Sequence, residues 1–149
     1  MKELFYLEDA AFLRKQTLEY LEEDGFIVKS AGRIDQAIDF VEKHPNEIDC
    51  IITDLNMNDE WLNEYRSESN GCLMSGWVWL RHFVYSKDQF QNTPCIIYSG
   101  YIPDLKDYLS QRNEMALLEK YPIHCIQKGG NDDNGYAALV KSLEKIFRK

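Results

Sequence analysis

Short apolar runs alternate with amphipathic stretches along the chain. The first run is Leu4-Phe5-Tyr6-Leu7, which closes on Glu8-Asp9. Ala10, Leu13, Thr17 and Leu21 then recur at helical spacing up to Gly25, a natural helix stop. Phe26-Ile27-Val28 is a second strand candidate, followed by a helical face of Ala37, Ile38 and Val41 that ends at His44-Pro45. Residues 48–53 form a third apolar run that closes on Asp54, and residues 78–85 have the content of a well-buried helix. Cys95-Ile96-Ile97-Tyr98 is a fourth strand closing on Ser99-Gly100. Residues 102–121 are expected to be mostly helical, ended by Pro122. Residues 123–127 are a fifth strand closing on Lys128-Gly129-Gly130, and residues 136–147 make a last helix. Five strands alternating with five helices predict an α/β architecture with a parallel sheet, right-handed crossovers and helices on both faces.

A chain of 149 residues is the size of one domain, and 44% hydrophobic with 28% charged residues is ordinary for a globular protein. One domain over 1–149 is expected, with one exception to its regularity. Residues 56–75 are polar, carry four acids and one arginine (net −3), and are too long for an ordinary βα loop. A short helix is expected within them, around residues 61–65. The formal charge of −8 argues against nucleic acid and against anionic lipid as partners. No apolar run approaches a membrane span, and the first residues lack the pattern of a signal peptide, so a cytoplasmic location with reduced thiols is expected. A site built from Cys72, His82, His124 and Cys125 lacks metal-ligand spacing and is set aside.

The chemistry lies in what terminates each strand. In an open parallel sheet, ligands bind beyond the carboxyl ends of the strands, where the strand order reverses. Glu8 and Asp9, Asp54, Ser99 and Lys128 would all converge there. Three crowded carboxylates repel one another unless a cation is present. Mg2+ suits them, because it takes oxygen ligands and keeps positions for water and phosphate oxygens. Glu8, Asp9 and Asp54 are the candidate metal ligands. Asp54 can also act as a nucleophile toward phosphorus, giving an aspartyl-phosphate. Lys128 would offset charge on the transferred group, and Ser99 would donate to a phosphoryl oxygen.

The pieces LFYLEDA, IITDLNM, IIYSGY and CIQKGG, in that order, resemble the receiver domain of response regulators in two-component signalling. The resemblance runs from Leu4 to Phe147. It implies a flavodoxin-like, doubly wound five-stranded sheet of order 2-1-3-4-5. It implies Mg2+ dependence, phosphorylation of Asp54 by a histidine kinase or phosphotransfer protein, and the backbone carbonyl of Asn56 as a further metal ligand. The expected activity is a phosphorylation-controlled switch that catalyses its own phosphoryl transfer and dephosphorylation, not a conventional enzyme. Its output passes to a protein target, with a homodimer as one form it can take. No output region follows, so the chain resembles a stand-alone receiver.

The departures from that pattern are specific. Asp54 and Gly76, the glycine matching the start of the third helix, are 22 positions apart, and Ser99 and Lys128 are 29 apart; both gaps exceed those of typical receivers. Gly129 stands where the family usually has proline, and Cys125 stands where it usually has a switch aromatic, a role open to Tyr98 or Tyr101. These departures keep open a second reading, a receiver-like interaction module that works without phosphorylation. A phosphatase of the haloacid-dehalogenase type would need a second aspartate where Asn56 stands, and a flavodoxin would not place acids after its first strand. Tyr101, two positions after Ser99, is expected to hinder the water that hydrolyses the phosphoaspartate.

Overall fold

The computed structural model describes residues 1–57, 64–129 and 134–148. Five strands, β1 (Glu3–Leu7), β2 (Ile27–Ala31), β3 (Cys50–Thr53), β4 (Cys95–Ser99) and β5 (Ile123–Gln127), form one sheet. All pairings are parallel and the order is β2-β1-β3-β4-β5. The helices are α1 (Ala11–Glu23), α2 (Ile34–Lys43), α3 (Ser75–Trp79), α4 (Ile102–Gln111), α5 (Leu117–Lys120) and α6 (Tyr136–Phe147). The architecture is therefore the doubly wound five-stranded sheet expected from the sequence.

The pleat divides the core in two. Phe5 and Leu7 of β1 join Ile51, Cys95 and Ile97 on the face covered by α2, α3 and α4. Their neighbours Leu4 and Tyr6 join Cys50, Ile52, Ile96 and Tyr98 on the face covered by α1 and α6. Successive side chains of a strand point to opposite faces, so strands buried on both sides are apolar at every position. The sheet edges differ. In β2 only Val28 and Ala31 are buried, and β5 has no fully buried residue.

Three local expectations are corrected. The second strand is longer than Phe26-Ile27-Val28, because parallel pairing with β1 extends it to Ala31. Residues 102–121 are not one helix. Asn113 takes a left-handed φ of 55°, and Glu114 N–H donates to the Leu109 carbonyl at 2.8 Å, which closes α4 before α5 begins. Residues 78–85 are not one α-helix either: α3 passes at Leu80 into a π-type turn over Leu80–Val84. The short helix expected around residues 61–65 falls mostly outside the described residues.

Candidate phosphoacceptor site

Glu8, Asp54, Ser99 and Lys128 sit at or just beyond the carboxyl ends of β1, β3, β4 and β5, because parallel register brings those ends to one edge. Lys128 N–H donates to the Ser99 carbonyl at 2.9 Å, extending the β4–β5 ladder to the lysine. Its ammonium donates to Glu8 Oε1 and, at 2.8 Å, to Asp54 Oδ2. The other oxygens are held by backbone: Leu55 N–H donates to Asp54 Oδ1 at 2.7 Å, and Ala10 N–H to Glu8 Oε2 at 3.2 Å. Glu8 is 1% exposed and Asp54 9%, whereas the adjacent Asp9 faces solvent. Oxygens of Glu8, Asp9 and Asp54 all lie within 4.8 Å of one another.

The electrostatics follow from that crowding. Burial, reinforced by the Asp54 charge, pushes the Glu8 carboxyl up to about 7, against the opposing pull of Lys128. Burial of Lys128 works against its charged form, but Asp54 and Glu8 outweigh it, so its affinity for the proton ends above the ordinary lysine value. One ammonium thus serves two carboxylates, with a third, Asp9, close by. A divalent cation suits this excess of negative oxygen donors, and Glu8, Asp9 and Asp54 are the side chains that would hold it.

Ser99 is fully buried, and its Oγ accepts the Tyr101 N–H at 3.1 Å. Asn56 lies half-buried in the loop two residues beyond Asp54. Cys125 is half-buried on β5. Tyr98 is buried with its hydroxyl donating to the Asn134 carbonyl at 2.7 Å, while Tyr101 is 39% exposed.

Sequence reasoning missed the supports of Asp54. Thr53 Oγ1 donates to the Asp54 carbonyl at 2.9 Å and accepts the Trp79 indole N–H at 3.2 Å. Arg14 donates to the Glu8 carbonyl at 2.7 Å from one turn into α1. Gly76 comes so close that a Cβ there would lie 1.8 Å from the Asp54 carbonyl oxygen. A threonine beside the candidate nucleophile was a visible signal; the tryptophan and arginine gave none, since their partners are distant in sequence or are backbone atoms.

The edge geometry and the sheet order can be set against known structures. The chain superposes on a chemotaxis response regulator of Vibrio cholerae (CheY4) with a TM-score of 0.67 at 19% identity, covering 99% of both chains. The fold is that of a response-regulator receiver domain. The non-phosphorylated receiver domain of HemR from Leptospira biflexa gives 0.64 at 17% identity, covering 100% of this chain and 96% of that one. The response regulator TrrA of Thermotoga maritima, in complex with Mg2+ and BeF, gives 0.56 at 16% identity over 99% and 100%. No protein-family model matches the sequence, and no curated protein does. Among the described residues, no helix of this receiver fold is long and apolar enough to cross a membrane.

Proposed function

We propose that this receiver-fold protein is a phosphorylation-controlled signalling switch whose phosphoacceptor is Asp54. The observation that carries the reading is the contact of one ammonium, Lys128, with both Glu8 and Asp54 at the strand ends. Glu8, Asp9 and Asp54, with the carbonyl of Asn56, would hold Mg2+. When bound, the ion would supply charge neutralisation for the crowded oxygens and for an incoming phosphoryl group.

The chain's own residues account for the rest. Leu55 N–H and Lys128 each hold one Asp54 oxygen, which orients the carboxylate. In the transfer, an Asp54 oxygen forms a bond to phosphorus while the bond from phosphorus to the donor's leaving oxygen breaks, and the electron pair departs with the leaving group. Lys128 offsets the charge of the phosphoryl oxygens and Ser99 donates to one of them. Water later attacks phosphorus, restoring the Asp54 carboxylate and releasing phosphate. The donor is a histidine kinase or phosphotransfer protein in the cytoplasm, and the output is altered binding of a protein target or a second copy of the chain.

Incubation with Mg2+ and acetyl phosphate followed by intact-mass measurement tests the reading. The expected gain is one phosphate, lost with Asp54→Asn. No gain overturns it in favour of a phosphorylation-independent interaction module, and a gain that survives Asp54→Asn overturns Asp54 as the phosphoacceptor.

A further inference from the structure

Residues 64–76 connect two regions that the receiver topology otherwise keeps apart. At their C-terminal end they hold the loop that carries Asp54. Ser75 Oγ lies 3.1 Å from the Met57 carbonyl, Gly76 N–H donates to the Leu55 carbonyl at 2.9 Å, and Gly76 presses on Asp54 itself. At their N-terminal end they hold α4, where the Tyr108 hydroxyl donates to the Glu68 carbonyl at 2.6 Å. Glu68 Oε2 also lies 2.7 Å from His82 Nε2, and the Tyr65 ring packs at 5.0 Å from the His82 ring.

The turn between these ends is tightly determined. Asn70, Gly71 and Cys72 all take left-handed φ values of 55°, 68° and 76°. Two of the three are not glycine, and such residues persist only where the surroundings impose them. The surroundings are present: Ser69 is fully buried, its Oγ accepts the Cys72 N–H at 3.1 Å, and Met74 N–H donates to the Ser69 carbonyl at 2.8 Å. Leu55, Met57, Met74, Ile102, Leu105 and Tyr108 belong to one continuous buried cluster, so apolar packing joins the same two regions.

The geometry points to a coupling device: residues 64–76 brace the Asp54 loop against α4, so that the chemical state of Asp54 biases α4 through Tyr108. This rests on the phosphoacceptor reading above and adds a route for the signal. The route uses main-chain contacts to the loop and one tyrosine hydroxyl on the helix, and it needs no aromatic residue at position 125. A bulky charged group on Asp54 displaces the Leu55–Met57 backbone. Because Gly76 N–H is bonded to that backbone, and the Ser75 hydroxyl sits between the Cys72 carbonyl at 2.8 Å and the Met57 carbonyl at 3.1 Å, the turn moves with it, and its Glu68 carbonyl moves against Tyr108.

The test uses the full chain as wild type, Tyr108→Phe and His82→Gln. Tyr108→Phe keeps the ring in the core and removes only the hydroxyl; His82→Gln loosens the same turn from its other side. Mg2+ with beryllofluoride loads Asp54, amide hydrogen exchange reads α4 (Ile102–Gln111), and acetyl-phosphate incorporation is measured in parallel. In the wild type, loading should change α4 exchange by about 5-fold or more, the lower end of ordinary allosteric coupling. In Tyr108→Phe that change should shrink toward none while phosphate still enters Asp54. By linkage, an α4 equilibrium that responds to loading also biases beryllofluoride affinity, so Tyr108→Phe should shift that affinity in step with the lost α4 response, a readout that a merely structural hydroxyl would not move. An α4 response that is unchanged in both variants, or absent in a wild type that takes up phosphate, overturns the coupling and leaves the phosphoacceptor reading standing. No phosphate uptake in any of the three proteins overturns that reading and the coupling with it.

Discussion

Lys128→Met removes the cation that, among the described residues, touches both Glu8 and Asp54, while retaining a side chain of similar length. The three side chains are 10%, 2% and 12% exposed, so the cost falls in the regime of buried ion pairs, not of surface ones. Removing one partner of a buried pair costs about 3–5 kcal/mol, because the remaining charge is stranded. Proton uptake sets a ceiling. Keeping a carboxyl protonated near about pH 7.5, when its unfolded value is about 4.3, costs about 4 kcal/mol at 1.36 kcal/mol per unit. The expected destabilisation is therefore about 3 kcal/mol near neutral pH without Mg2+. It should fall to about 1 kcal/mol near about pH 5.5, where Glu8 is already largely protonated in the wild type and Lys128 serves Asp54 alone. Millimolar Mg2+ should recover most of the loss at neutral pH, since it supplies the missing positive charge. Urea unfolding followed by the fluorescence of the buried Trp77 and Trp79 measures all three conditions. A penalty below about 1 kcal/mol at neutral pH, or one indifferent to both pH and Mg2+, would refute the charge argument.

Three further outcomes are expected. In the metal-free wild type, the raised Glu8 value means that its contribution to stability is complete below about 4.3 and is lost as the pH rises through about 7. Unfolding midpoints in chelator should therefore decline between those values, and a flat profile would contradict it. Gly76→Ala drives a methyl group onto the Asp54 carbonyl oxygen. It should cost about 1–3 kcal/mol in urea unfolding and slow phosphate uptake from acetyl phosphate, whereas wild-type behaviour in both would show that the two segments are not in close contact. Tyr101 is half-exposed beside Ser99, and Tyr101→Ala should shed phosphate several-fold faster once the donor is removed, because water gains access. An unchanged or slower decay in a mass time course would count against that role.

The central strands were legible because burial on both faces makes them near-continuous apolar runs, and the residues that end them are read directly after each run. The α4–α5 break had a local signal in Asn113, a residue that tolerates the left-handed conformation, but the apolar residues on either side continue a helical spacing and masked it. The anchoring of residues 64–76 had no such signal. Tyr108 meets Glu68 across 40 positions and Ser75 meets Met57 across 18, with main-chain carbonyls as acceptors. A backbone acceptor leaves no mark on residue identity.

The sequence by itself determined the alternation of strands and helices, a parallel sheet covered on both faces, and which residues stand at the carboxyl ends, because these depend on local periodicity. Tertiary structure decided what those residues are to one another. Lys128 reaches Glu8 across 120 positions and Asp54 across 74, contacts that exist only because parallel pairing aligns the ends of β1, β3, β4 and β5. It also separated two adjacent acids: Glu8 is buried against the lysine while Asp9, one residue on, faces water. Their oxygens stay within 4.8 Å of each other and of Asp54, so only the packing around the strand end, not the sequence, decides which acid is covered.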